Sequence, residues 1–121
     1  MAHLNEHGVL TGGRKIVLAR GKRFLVVATL CEFHGQWYFG VNVKVGRTEV
    51  DSFGFGFLPA PKRDKPYPTF DEALNAARLY AERVIRDRTR RKHTPINPPV
   101  KAAARKALEA LYRERQLKLF G

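Results

Sequence analysis

Apolar and polar residues alternate along the first half of the chain with the two-residue period of a half-buried strand. In "QWYFGVNVKV" (36–45), Trp37, Phe39, Val41, Val43 and Val45 fall on one side and Tyr38, Asn42 and Lys44 on the other, because successive side chains of a strand point to opposite faces. The runs "RKIVLAR" (14–20), "RFLVVATLCEF" (23–33) and "TEVDSFGFGFL" (48–58) are similarly rich in β-branched and aromatic residues. The connectors Gly21-Lys22, His34-Gly35 and Gly46-Arg47 each carry a glycine, and two-residue loops of that kind match the twist of paired strands. The pattern predicts an antiparallel meander with one apolar face and one wet face. In the last strand Val50 is out of phase with Phe53, Phe55 and Phe57, so a bulge near Asp51 or Ser52 is expected. The alternation of Phe and Gly predicts large side chains in the core and glycines that let another backbone come close.

After "PAPKRDKPYP" (59–68), whose four prolines and four charges predict an exposed connecting loop, the period changes to that of a helix. Thr69 with Glu72 three residues on forms a capping box, opening a helix through about Arg91. Phe70, Ala73, Leu74, Ala77, Ala81, Val84 and Ile85 make its apolar stripe, and Arg83, Arg86 and Arg90 come out opposite. "TPINPP" (94–99) ends it, and Pro99 suits the first turn of a second helix. The second stripe, Val100, Ala103, Ala104, Ala107, Leu108 and Leu111, is narrow and small, suited to close packing on a neighbour.

The expected fold class is therefore α+β: a four-stranded antiparallel meander packed by one long helix, followed by a second C-terminal helix. Residues 1–13, loosened by Gly8, Gly12 and Gly13, would form a flexible arm, 14–92 the meander-plus-helix domain, 93–99 a Pro-rich linker, 100–115 the C-terminal helix and 116–121 an extended tail. At 121 residues there is room for one core. No stretch approaches the roughly 20 apolar residues of a membrane helix, and "MAHLNEHGVL" lacks a cationic segment followed by an apolar run, so a soluble, cytoplasmic protein is expected. The single cysteine, Cys31, reads as a small core residue. His3 and His7 stand in the glycine-loosened arm, and Glu32, Glu49 and Asp51 fall on strands a meander would not place side by side. With no phosphate loop and no nucleophile or carboxylate pattern, the sequence predicts a non-enzymatic protein without a metal or cofactor.

Charge changes the picture. The net charge is +12, with 7 basic and 4 acidic residues in 1–60 and 16 and 7 in 61–121. Such an imbalance is the electrostatic footprint of a nucleic-acid partner. "RVIRDRTRRK" (83–92) holds six cations and one acid, more than compensation of a helix dipole needs. Arg83, Arg86, Arg90, Arg91 and Lys92 are thus candidate phosphate contacts.

The last residues, "QLKLFG" (116–121), place three large apolar side chains at a terminus. A continued helix would scatter Leu117, Leu119 and Phe120 around its circumference, so a short extended peptide after Arg115 is expected. Gln116-Leu117-Lys118-Leu119-Phe120 resembles the bacterial sliding-clamp-binding pentapeptide Gln-Leu-Ser/Asp-Leu-Phe, carried by polymerases, mismatch-repair proteins and some plasmid replication initiators. Four of five positions agree and Lys118 departs at the tolerant middle one. The resemblance covers only these residues. It implies that Gln116 hydrogen-bonds at a pocket rim and that Leu119 and Phe120, beside Leu117, fill an apolar pocket on the clamp. Burial of two such side chains yields roughly 3–6 kcal/mol before association costs, so the peptide alone would bind at micromolar strength at best. A weak hook and a basic body would reinforce each other on a ring encircling DNA.

A second likeness involves Trp37 on a strand, the turn at Gly46, "FGF" (55–57) and "TFDEALNAARLYA" (69–81). Residues 34–81 are similar to the three-stranded-sheet-plus-helix DNA-binding domains of ethylene-response transcription factors and some integrases, in which the sheet reads the major groove; the loop 58–68 is an insertion. That resemblance implies that the wet face, with Tyr38, Asn42, Lys44 and Arg47, touches DNA. The expected function is a nucleic-acid-binding accessory protein of a bacterium, phage or plasmid, with DNA favoured over RNA, recruited to the sliding clamp by its tail. The alternative is a small phage- or plasmid-type inhibitor or adaptor that binds an acidic host protein without touching nucleic acid.

Overall fold

The computed structural model describes residues 3–46, 52–90 and 98–120. Its main sheet has four antiparallel strands, β3 (Arg14–Gly21), β4 (Phe24–Phe33), β5 (Gln36–Gly46) and β6 (Ser52–Phe57), in the order β3-β4-β5-β6. Two helices, α1 (Phe70–Arg90) and α2 (Pro98–Phe120), pack on one face of it and against each other. The architecture is the expected α+β meander with one long covering helix and a second helix after it. Leu18, Val26, Ala28, Leu30, Val41, Val43 and Val45 of the sheet meet Ala73, Leu74, Ala77, Ala81 and Ile85 of α1 and Val100, Ala104, Ala107 and Leu111 of α2 in one core. No described helix is long and apolar enough to cross a membrane.

Local chemistry fixes the elements. His34 and Gly35 both adopt positive φ (53° and 77°), as a type I′ hairpin turn requires. The β3–β4 turn falls one residue later than expected, on Lys22 and Arg23, because Gly21 still pairs with Phe24 and its missing side chain lets the Phe24 ring lie across it. A bulge displaces the β3 register between Val17 and Ala19, burying both Leu18 and Ala19. Of the two positions where a bulge is expected, Asp51 lies outside the described residues and Ser52 pairs in register with Gly46. Thr69 caps α1, accepting a hydrogen bond from the Glu72 backbone N–H at 3.1 Å.

Four expectations are corrected or refined. Residues 3–13 form a hairpin rather than a loose arm, with β1 (His3–Leu4) paired to β2 (Leu10–Thr11). The Asn5 side chain accepts from the backbone N–H groups of His7 and Val9, and Gly8 and Gly12 take the positive φ its corners need. Leu10 is fully buried against Cys31, Tyr38 and Phe33 in a small second core behind the sheet. Residues 59–68 connect β6 to α1 with Lys62, Arg63, Lys65, Pro66 and Pro68 exposed, as expected, but form a strap pinned to the body rather than a free loop. Asp64 accepts from the Ala60 N–H at 2.8 Å, Leu10 donates its N–H to Pro59 at 2.8 Å, and Trp37 and Tyr67 exchange backbone hydrogen bonds at 2.8 and 2.9 Å. The buried face of α1 is wider than its apolar stripe and takes in Arg78 and Glu82 (5% and 4% exposed), because α2 covers a second flank of α1. Finally, the backbone of 116–120 is helical and continues α2 rather than forming an extended tail. No Gly or Pro interrupts 100–120, and Arg, Lys, Leu, Gln and Glu propagate a helix once begun.

Candidate nucleic-acid interface

Strand register decides what the face opposite the helices displays. Arg20, Leu25, Lys44 and Gly54 form one rung across all four strands, and Val17, Val27, Asn42 and Gly56 form the next. Lys15, Thr29 and Gly40 form a third. The neighbouring residues Val26, Val43, Val45 and Phe53 belong to the helix-side core, so these rungs lie on the other side. Lys15, Arg20, Asn42, Lys44, Gly54 and Gly56 are exposed there, and Val17 is 48% exposed. None of the rung positions is acidic. The bulge in β3 brings Arg20 onto this face: without it, Arg20 would share parity with the buried Leu18.

The same face has a covered end. At Gly40 a side chain would collide with the Phe57 carbonyl, Pro59 and Leu58, so glycine there permits the close passage of 57–59 over the sheet. The β1–β2 hairpin closes over Cys31 and Tyr38 beside it. Tyr38, expected to touch DNA, is therefore only 6% exposed and is removed from the interface. Burial pushes the Cys31 thiol above its ordinary value.

Gly54 and Gly56 differ from Gly40. Neither has a positive φ, and a methyl group at either would make only ordinary contacts, at 3.7 Å from Val43 O and 3.6 Å from Asn42. Their absence of side chains leaves the β6 margin of the face flat without serving the fold's own packing.

The expected site residues occupy two surfaces. Lys44 lies on the open sheet face, whereas Arg83, Arg86 and Arg90 are exposed on α1, which covers the opposite side. Arg47, Arg91 and Lys92 lie outside the described residues. Lys15 and Arg20 were missed because β3 has few alternating apolar positions and its bulge, between Val17 and Ala19, moves Arg20 onto the face that Lys15 shares. Gln116, Leu117, Leu119 and Phe120 sit in the last described turns of α2. Among the described residues, no three His, Cys, Asp or Glu side chains come together as a metal site.

A second cluster is aromatic. Phe39, Phe57 and Tyr80 stand with ring centroids 5.3–6.0 Å apart where β6 meets α1. The strap carries Arg63 to 5.2 Å over the Phe57 ring and Lys65 to 5.5 Å over Tyr67. Hydrogen bonding to the Asp64 carboxylate holds the Arg63 guanidinium above its ordinary pKa, and its Nη2 also donates to the Leu58 carbonyl.

No family model matches the chain, and no curated protein or solved structure matches it significantly.

Proposed function

We propose that this protein is a non-enzymatic nucleic-acid-binding accessory module that lays its open sheet face on duplex DNA and is brought to the bacterial sliding clamp by residues 116–120. The carrying observation is electrostatic: the exposed rungs hold Lys15, Arg20 and Lys44 and no acid, on a chain of net charge +12. Cations without counter-charges on a flat surface release condensed counterions from a duplex when they replace them at phosphates. Asn42, between Lys44 and the covered end, supplies donor and acceptor groups for base edges.

The clamp component rests on the pentapeptide itself. Because the backbone at 116–120 is helical, engagement of an extended-peptide pocket requires the last helical turn to unwind. Helix ends carry carbonyls with no intrahelical partner, so this is the least costly part of α2 to open.

The test is a titration of duplex DNA with wild-type protein and the Arg20→Glu/Lys44→Glu double variant across a salt series. Wild-type affinity is expected to fall steeply with salt, and the double variant to lose roughly tenfold or more at low salt. Absence of wild-type binding at low salt would favour the rival reading, an adaptor for an acidic protein.

A further inference from the structure

Strand β6 borders two surfaces, and the one on the helix side is a channel. Two cavities of about 460 and 310 Å³ open along the seam between β6 and α1, and both are walled by Phe55 and Tyr80. They form one elongated groove with those two rings, 6.0 Å apart, as its saddle. Each half is within the roughly 300–1,000 Å³ of small-ligand sites.

Cations stand at both ends. Arg63 and Lys65 border one cavity; at the other, Arg83 lies 5.5 Å over the Tyr80 ring and Arg88 5.7 Å over Phe53. Of the two acids along the groove, Asp64 is engaged by Arg63 at 2.8 Å and by the Ala60 N–H, leaving Asp87. Phe55 is different from its neighbours: it is 37% exposed, and among the described residues no cation lies over its ring.

We propose that this channel holds an unpaired stretch of nucleic acid, with one base stacked on Phe55 at the saddle and flanking phosphates on Lys65 and Arg83. A cationic groove interleaved with aromatic platforms is what single strands require, because every base has a π-face and every linkage a charge. A duplex keeps its base faces stacked and cannot use the ring. A peptide added to the free edge of β6 would be held by backbone hydrogen bonds and would not need cations at both ends. The inference rests on the nucleic-acid reading above and extends it: duplex on the open face, unpaired strand on the other side of the same edge strand.

The experiment follows fluorescence anisotropy of a short labelled oligo-dT and, separately, of a duplex, with wild type, Phe55→Ala and Phe55→Trp, thermal melts confirming the fold of each. Phe55→Ala is expected to weaken oligo-dT binding roughly tenfold while leaving duplex affinity unchanged, and Phe55→Trp to retain it. An unchanged oligo-dT affinity in Phe55→Ala, or an equal loss on both probes, would overturn the channel while leaving the sheet-face reading standing. Displacement of oligo-dT by poly-glutamate as readily as by unlabelled oligo-dT would overturn it in favour of an acidic polypeptide. Failure of wild type to bind either probe would overturn both readings.

Discussion

Gly54 and Gly56 occupy strand positions where the fold itself accepts a methyl group, although glycine in a strand costs roughly 0.5–1 kcal/mol relative to alanine. On the proposed reading, glycine at these positions serves what approaches from outside. Gly56→Ala is expected to leave the melting temperature unchanged or slightly raised while weakening duplex binding. A variant that binds as well as wild type would show that the flat margin plays no part. Arg20 and Lys44 act differently, through charge. Each lies across from an apolar or glycine neighbour, Leu25 or Gly54, on its rung, so no acid faces either of them directly across the strands. Of these residues only Lys44 was legible from alternation, since β5 keeps strict parity from Trp37 to Val45. Arg20 was not, because parity in β3 is reset by a bulge that depends on its pairing with β4.

At the scale of elements, what the chain made legible was whatever depends on local periodicity. The four strands, the Thr69 cap and both helical stripes follow from spacing alone. The β1–β2 hairpin and the strap did not, because they are held by long-range contacts: Leu10 under Tyr38, Pro59 against Gly40 and Tyr67 beside Trp37. The channel was illegible for the same reason, as it joins Phe55 to Tyr80 and to a strap read as mere linker. Leu10→Ala should cost about 2–5 kcal/mol, the usual range for such a truncation, and should make Cys31 reactive toward thiol reagents in the native state. If Cys31 stays unreactive, the hairpin does not shield it. Burial raises the Cys31 pKa above its ordinary 9.0, so the unfolded thiol ionises first. Its contribution to stability is full below about pH 9 and is lost as pH rises toward the folded value; a Cys31→Ala variant should lack this alkaline loss in denaturant titrations. For α2, the proposed clamp hook predicts that removal of 116–121 shifts the melting temperature by less than about 4 °C and abolishes pull-down of the sliding clamp. A larger drop would mean that the tail belongs to the core.

For the whole molecule, the sheet separates two cationic surfaces. One is flat and free of acids on its exposed rungs; the other carries the α1 arginines and the aromatic channel, which Phe53, Phe55 and Phe57 of β6 line together with Gly54 and Gly56, the two glycines that also complete the rungs of the first. Such a body suits a place where duplex and unpaired strand meet, and a weak hook on the clamp would add to its residence there through effective concentration. The duplex role requires that nucleic acid be the partner of the face whose exposed rungs carry no acid. The most direct measurement is the salt series on duplex DNA with wild type and the Arg20→Glu/Lys44→Glu variant, both checked for native melting. A steep fall of wild-type affinity with salt, together with a loss of roughly tenfold or more in the variant at low salt, is the predicted result. Equal binding by the two proteins, or none by either, would contradict it.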